Sequence, residues 1–265
     1  MVEGIAMNSV DVVIPAFNAK ETIASAIDSV LSQSSDVVRK IIVVDDGSSD
    51  GTGSFVTGIN SSKIEVYTTL NRGVSSARNY GISMSSAKWV AFLDADDQWV
   101  TSKLEDQLSF AELFKCHFVC GAADGNTRRT SGMISISDLL RGNFVATSTV
   151  IVERGFLEKH SLLFNEEMSF AEDYLMWIQC LTVGKGFYSA NQQAKYILSE
   201  IPRYNWKQIF IDLKRLTLSY LLFLDSINTS HLRKTHLSLL MVIGVFRSVL
   251  SIGVRFLMSY SLVKS

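Results

Sequence analysis

The side chains with the clearest chemical potential stand at the end of one apolar run. Trp89, Val90, Ala91, Phe92 and Leu93 make a stretch of strand length that stops abruptly at Asp94, Ala95, Asp96 and Asp97. A buried strand of this kind delivers three carboxylates to one sheet edge. Carboxylates packed so closely repel and raise one another's pKa values unless a cation sits among them. Hard oxygen ligands suit Mg²⁺ or Mn²⁺, ions that keep waters and share themselves with substrate phosphates, so the pattern points to a metal-diphosphate site. The plainer alternative is a solvated acidic turn capping the helix expected after Thr101.

The elements that must position these groups come earlier in the chain. Val10 to Ile14 reads as a short strand stopped by Pro15, after which Ala16, Phe17 and Asn18 turn toward a helix over Lys20 to Ser32. A second strand, Lys40 to Val44, runs into Asp45, Asp46, Gly47, Ser48, Ser49, Asp50 and Gly51. Strand, helix, strand is a βαβ unit, and its right-handed crossover brings both carboxyl ends to the edge where open α/β sheets bind ligands. Ile64 to Thr68 gives a third strand. Asn71 to Asn79 leads into a helix reaching about Ala87, with Gly73 allowing a tight turn, Ser75 able to cap, and Arg78 able to reach a phosphate or ribose. An isolated helix arginine is otherwise a solvated charge. No G-x-G-x-x-G follows the first strand and no G-x-x-x-x-G-K-[ST] occurs, which removes the main support for dinucleotide oxidoreductase and P-loop readings.

Composition sets the outer bounds. The 265 residues are 47% hydrophobic with two prolines, a balance that fits one compact α/β domain or somewhat more, without disordered tracts or repeats. The N-terminal MVEGIAMNS has neither the basic start nor the apolar core of a signal peptide, so a cytosolic catalytic part is expected. Cys116, Cys120 and Cys180 cannot all pair and read as reduced, buried thiols; Cys116, His117 and Cys120 have no second Cys/His pair at ligand spacing. The net charge of −1 hides an asymmetry: from Ile201 onward nine basic residues face two acidic ones, Asp212 and Asp225. That excess suggests an anionic surface, and the tail's many aliphatic residues favour membrane over nucleic acid.

Five blocks occur in a telling order: VVIPAFNA, IIVVDDGSSDGT, NRGVSSARNYGI, AFLDADD and FAEDYLMWIQC. Over about Val10 to Leu198 the chain resembles family 2 glycosyltransferases. The resemblance implies an α/β GT-A fold, a Rossmann-like and mostly parallel central sheet flanked by helices, with a C-terminal helical extension. It implies an inverting enzyme that takes a sugar, most often from a UDP-sugar, with Mg²⁺ or Mn²⁺, to a glycan or lipid-linked glycan acceptor. Residues 1–200 would then be the catalytic domain, with about 1–100 the nucleotide-sugar half and about 101–200 the acceptor half, and 201–265 a basic, apolar tail. On the family pattern Pro15 and Ala16 match the nucleotide-contacting turn. Asp45 and Asp46 match the acidic block, with Asp46 bonding the uracil edge, and Arg78 lies near the nucleotide. Asp94 and Asp96 match the metal-binding pair, with Asp96 the more direct ligand. Asp173 matches the general base that takes the acceptor hydroxyl's proton, and Glu172 positions it or binds the acceptor. The dipole reading remains beside this, since acidic residues suit a helix N-terminus. A non-catalytic nucleotide-sugar-binding module and a nucleotidyltransferase are the alternatives; the second lacks a Gly-rich, Arg/Lys-bearing loop where this chain has PAFNAK. One departure is KYILSEIPRYNW in place of an Arg/His-containing stretch near the diphosphate: either Arg203 substitutes or the contact is absent.

The region Phe118 to Val152 is less legible. It offers a polar loop over Asp124 to Gly132, where Arg128 and Arg129 read as solvated charges or as acceptor contacts, and a strand over Ser148 to Val152. In the tail, Trp206 to Leu224 has helical periodicity behind Asn205, and a second helix is expected over about His236 to Val263. Arg247 and Arg255 interrupt that segment below the roughly 18 apolar residues of a spanning helix. It is expected either to pack on the first tail helix or to lie on the cytoplasmic face of an anionic membrane as a peripheral anchor.

Overall fold

The computed structural model describes residues 9–33, 36–124, 129–196 and 206–227, together with Lys234, Leu237 and Ser238. Strands β1 (Val10–Ala16), β2 (Val38–Asp45), β3 (Ile64–Thr68) and β4 (Trp89–Phe92) form the first half of one sheet in the order β3–β2–β1–β4, every pairing parallel. The residues explain this arrangement. β1 is buried along its whole length, so both of its faces need a helical cover. Val10, Val12 and Ile14 pack against Ile23, Ala26, Ile27 and Val30 of α1 (Ile23–Leu31). On the opposite face, Val13 joins the core that holds Ile82 of α3 (Val74–Met84), while Ala77 of α3 packs on Ile42 and Val44. The short helix α2 (Thr52–Thr57) follows β2.

Two features fix the working edge of this half. A Cβ at Gly81 would lie 2.3 Å from Cγ1 of Val13, so α3 crosses β1 closer than any larger residue permits, which sets Arg78 over the strand ends. At the far end, buried Asp11 accepts from Arg39 at 2.5 Å, from the Ser85 hydroxyl, and from the N–H groups of Ser86 and Ala87. This carboxylate ties the exit of α3 back to β1 and β2.

The second half of the sheet is mixed. It contains β5 (Asp97–Trp99), β6 (Phe118–Ala123), β7 (Gly132–Ile134), β8 (Ile151–Glu153) and β9 (Gly186–Tyr196), continuing as β8–β6–β9–β5 with β7 against β9. β8 runs antiparallel to β4 and β6, and β9 runs parallel to β6 but antiparallel to β5 and β7. Around it lie α4 (Lys103–Phe114), α5 (Ile136–Arg141), a 3₁₀ turn at Thr147–Thr149, α6 (Arg154–Lys159) and α7 (Glu172–Val183). Trp177 of α7 is fully buried, its ring 5.9 Å from Phe92, 5.3 Å from Phe118 and 5.6 Å from Phe164. Those contacts lock α7 onto β4 and so place its acidic first turn near the end of that strand.

The last described helix, α8 (Trp206–Ser226), buries Leu213, Leu216, Tyr220 and Leu224 in the core that holds Trp177. The Tyr220 and Thr182 hydroxyls meet at 2.9 Å. Its outer face exposes Phe210, Ile211, Leu218 and Leu222. Among the described residues, no helix is long and apolar enough to cross a membrane. Cys116, Cys120 and Cys180 are free and buried, and burial pushes the Cys116 thiol up to about 11.

Several sequence expectations change here. The turn expected at Asp97 becomes β5, whose three residues are too few to show a period and are held by β9. The strand expected over Ser148 to Val152 starts later, because Ser148 belongs to the 3₁₀ turn. Residues 1–8, Arg128, Arg203, Asn205 and, apart from Leu237 and Ser238, the segment expected as a helix over His236 to Val263, with Arg247 and Arg255 in it, lie outside the described residues.

Candidate active site

The parallel strands bring Ala16, Asp45 and the turn after Phe92 to one edge. The loops that follow β1 and β2 are stitched into a single floor. The Asn18 N–H donates to the Ser48 hydroxyl at 2.9 Å, the Ser49 N–H to Asn18 Oδ1 at 2.8 Å, and the Lys20 N–H to Asp50 at 3.0 Å. Asp45 works beneath this floor: Oδ1 accepts from the Ser48 N–H at 3.0 Å, and a Cβ at Gly53 would lie 2.3 Å from Oδ2. Of the residues expected at the donor, Asp45 thus has its carboxylate directed at this loop backbone and lies outside the lining of the two clefts described next.

Two clefts open above the floor and share Pro15, Phe17 and Val74. The smaller, about 240 Å³, is lined by Pro15, Ala16, Asp46, Asn71, Gly73 and Ala77 among others. Asp46 is already engaged there: it accepts from the Thr69 hydroxyl at 2.9 Å, the Arg72 N–H at 3.0 Å and the Gly73 N–H at 2.7 Å. The Arg72 N–H also reaches Oδ2 at 3.1 Å, so three donors make four contacts, and a further donor at this carboxylate shares or displaces the second Arg72 contact. Gly73 itself sits at φ 94°, a left-handed conformation that starts α3 and turns its N–H onto Asp46.

The larger cleft, about 360 Å³, includes Asn18, Thr22, Arg78, Asp94 and Asp96. Arg78 is buried and bridges two elements. One guanidinium nitrogen meets Asp94 Oδ1 at 2.8 Å, the other meets Glu172 Oε1 at 3.2 Å, and the ring of Phe164 lies 5.3 Å from its centre. Burial works to discharge this arginine, but Asp94 and Glu172 outweigh it and hold its pKa above the usual value. Its Nε is buried without a protein partner.

Glu172 and Asp173 open α7 behind Ala171, a residue at φ 60° that turns the chain sharply into the helix. The Thr147 hydroxyl donates to Asp173 Oδ2 at 3.2 Å, and the Tyr174 N–H donates to Oδ1 at 2.6 Å. Burial raises both carboxyl pKa values; Asp173 adds to the rise at Glu172, and Arg78 opposes it at both. A carboxylate raised by burial yet held by a cation is poised to take a proton.

The strand-end acids do not act as three equal ligands. Asp97 turns inward, accepting from the Ser148 hydroxyl at 2.5 Å, and burial pushes its carboxyl up to about 7. Among the described residues, no group of three His, Cys, Asp or Glu side chains is arranged to hold a metal ion. Asp94 and Asp96 remain half-buried in the larger cleft. Two carboxylates with space for phosphate and water beside them fit Mg²⁺ or Mn²⁺, which are commonly held by one or two carboxylates plus substrate phosphates.

The sequence reading missed Thr147, Ser148 and Tyr196. Tyr196, at the end of β9, pairs in register with Asp97, and its N–H donates to Asp124. Tyr196 is 46% exposed, and the partial burial of its ring, followed by the charges of Asp97, Asp94 and Asp173, raises its phenol. Nothing local marks these residues, because their roles come from strands that meet only in the fold.

A parallel half-sheet with acidic strand ends, a mixed second half and a helix presenting carboxylates over the edge define an α/β enzyme of Rossmann-like architecture. Residues 11–169 match the profile described as glycosyl transferase family 2, and the chain belongs to that family. It is a glycosyltransferase. Among its relatives, the UDP-Glc:alpha-D-GlcNAc-diphosphoundecaprenol beta-1,3-glucosyltransferase WfaP of Escherichia coli is 30% identical over 67% of this chain and 72% of its own length. The putative teichuronic acid biosynthesis glycosyltransferase TuaG of Bacillus subtilis is 29% identical over 75% of this chain and 83% of its own. The crystal structure of S. aureus TarS 1-349 in complex with UDP-GlcNAc superposes with a TM-score of 0.74 at 17% identity, covering 87% of this chain and 70% of that one. The chain therefore has the GT-A fold.

Proposed function

We propose that this enzyme moves a sugar from a UDP-sugar to a hydroxyl of a lipid-linked glycan, with inversion at the anomeric carbon. One observation carries the reading: a single buried guanidinium, Arg78, joins the donor-side Asp94 to the acid pair Glu172–Asp173. UDP as the carrier draws support from the substrate in the WfaP name and from the UDP-GlcNAc complex of TarS, and the lipid-linked acceptor from the diphosphoundecaprenol in the WfaP name.

In this reading the nucleobase lies in the cleft of Pro15, Ala16 and Val74, with its N–H directed at the Asp46 carboxylate in place of the second Arg72 contact. The diphosphate occupies the adjoining cleft beside Arg78, Asp94 and Asp96. A divalent cation, Mg²⁺ or Mn²⁺, would be held by Asp96 and Asp94; when bound, it neutralises charge on the departing diphosphate. Asp173 takes the acceptor hydroxyl's proton as that oxygen forms a bond to the anomeric carbon. The bond from carbon to phosphate oxygen breaks on the opposite face, and its electron pair leaves with UDP. Glu172, paired with Arg78, keeps a second negative charge near Asp173 and so favours proton uptake there.

Peripheral attachment to an anionic membrane fits the same reading, because α8 exposes Phe210, Leu218 and Leu222 and the chain from Ile201 carries the basic excess. The test is a panel of nucleotide-sugars with a GlcNAc-diphospho-lipid analogue, reading UDP release and the anomeric configuration of the product by NMR. Transfer from a UDP-sugar with inverted configuration is expected. A retained configuration, or release of UDP only to water, would overturn the proposal.

A further inference from the structure

The 3₁₀ turn Thr147–Thr149 is buried throughout and carries three side-chain hydroxyls, each committed to a partner. The Trp99 indole N–H donates to the Ser148 carbonyl at 2.6 Å, and the Gln107 amide donates to the Thr149 carbonyl at 2.6 Å. The Thr149 hydroxyl accepts from the Gly121 N–H and donates to the Ala146 carbonyl. The turn is thus held from β5, α4 and β6 at once. Two of its hydroxyls then point to the two halves of the site. Thr147 donates to Asp173 Oδ2 at 3.2 Å. The Ser148 hydroxyl accepts from the Asp94 N–H at 3.1 Å while donating to Asp97 Oδ2.

We propose that this turn positions both halves of the site, Thr147 orienting the base carboxylate of Asp173 and Ser148 fixing the backbone turn that carries Asp94 and Asp96. The proposal rests on the reading of Asp173 as base and of Asp94 and Asp96 as donor-side ligands. Its physical content is that two partners which must keep a fixed separation during transfer hang from adjacent residues of one rigid piece, instead of from α7 and β4 independently. A small shift of either would misalign the reacting atoms.

The two hydroxyls predict different kinetic losses, which mere filling of a buried space would not produce. Thr147→Val keeps the volume and removes the donor. It is expected to lower kcat about tenfold, the equivalent of one hydrogen bond to a charged group, with donor KM within about twofold of wild type. Asp173 is faced by Glu172 beside it, Arg78 from α3, Asp94 from the end of β4 and the Tyr196 phenol from β9. Removing the Thr147 donor takes away one group that favours the carboxylate, so the acidic limb of the pH profile moves to higher pH. Thr147→Ser, which keeps the hydroxyl and drops the methyl, restores both. Ser148→Ala is expected to raise donor KM about tenfold and change kcat far less.

Steady-state kinetics of these variants across pH, with Asp173→Asn measured alongside, decide the matter. Should Thr147→Val or Ser148→Ala lose the native circular-dichroism spectrum, Thr147→Ala and Ser148→Cys are read for the same split. Wild-type kcat and pH limb in the Thr147 variant, or equal losses in the same parameter from both sites, would overturn the proposal. Asp173→Asn with wild-type turnover would instead overturn the base reading on which it rests, so the two failures are distinguishable.

Discussion

Arg78 and Asp94 meet at 2.8 Å, and the same guanidinium reaches Glu172, so the helix after the third strand, the end of β4 and the start of α7 share one charge. Removing the arginine leaves Glu172 largely buried and Asp94 half-buried without compensation, and since breaking a fully buried pair commonly costs about 3 to 5 kcal/mol, the loss here is expected at or below about 3 kcal/mol. Arg78→Met is expected to lower the urea midpoint accordingly. In whatever fraction remains folded, Glu172 and Asp173 lose the cation that opposes their raised pKa values, so the acidic limb of activity moves to higher pH. Arg78→Lys keeps the charge but not the two-pronged reach, and its effect should fall between the two. A Met variant with wild-type stability and pH profile would show that the bridge does neither job.

Asp173 gives the sharpest kinetic prediction. Asp173→Asn keeps the volume and, through its amide oxygen, the contact with the Tyr174 N–H, while its NH₂ can only donate toward the Thr147 oxygen, and it cannot take a proton. Turnover should fall by about 10² to 10⁴ while UDP-sugar affinity by calorimetry stays near wild type. Equal losses in affinity and turnover would instead mark it as part of the donor site.

The donor-side acids differ in their expected effects because they differ in their partners. Asp96→Asn should abolish the metal dependence of UDP binding with little change in melting temperature. The prediction fails if calorimetry with and without Mn²⁺ gives wild-type behaviour. Asp97→Asn, by contrast, can keep an acceptor oxygen on the Ser148 hydroxyl and should leave the metal dependence in place.

Much of the parallel half of the sheet was legible in the sequence, and the reason is local. β1, β2 and β4 are apolar runs followed within a few residues by Pro15–Ala16, Asp45–Asp46 and Asp94–Asp96, although Pro15 does not stop β1 as expected, since the pairing with β2 runs on through Ala16. Asp45 shows the limit of that reading. Adjacent to Asp46, it differs only in which backbone it faces, and the alternation of a strand end sends one carboxylate under the loop and the other into the cleft. Asp97 was counted with its neighbours for the same reason, yet β9 pulls it into a strand. Thr147, Ser148 and the partners of Arg78 depend on contacts between residues 16 to 94 positions apart, and no period or spacing carries them.

Lys103 was invisible for that reason and makes a prediction about stability. It is fully buried, its amine donating to Gln107 Oε1 at 2.7 Å and lying 4.0 Å from the centre of the Trp99 ring. Burial lowers its pKa well below the ordinary lysine value. Between that lowered pKa and the unfolded value, the unfolded chain binds a proton that the folded chain does not, so folding stability rises with pH across the window. The slope can reach about 1.4 kcal/mol per pH unit where the difference is one full proton. Lys103→Met, of similar length and apolar, should remove this slope. The measurement is the difference between wild-type and Lys103→Met unfolding free energies from pH 6 to 8, below the range where the buried thiols contribute. The gap should narrow as pH rises; a constant gap would show that the amine stays charged in the fold.

The last prediction concerns the outer face of α8. Its inner face is committed to the core through Leu213, Leu216 and Tyr220, so Leu218 and Leu222 can be changed without touching that packing. They are 55% and 62% exposed, which leaves a surface of apolar side chains with Lys214 beside it. A lipid surface would bury that apolar area, and each nearby lysine or arginine adds roughly 1 kcal/mol of attraction to anionic headgroups. Intact protein is expected to float with anionic liposomes at low salt and to release at high salt. Leu218→Glu with Leu222→Glu should weaken flotation while leaving soluble transfer intact, and truncation before His236 should weaken it through loss of Arg247, Arg255 and Lys264. Binding that neither change reduces would place the contact elsewhere on the molecule. Absence of binding at low salt would remove membrane attachment from the account while leaving the transfer chemistry untouched.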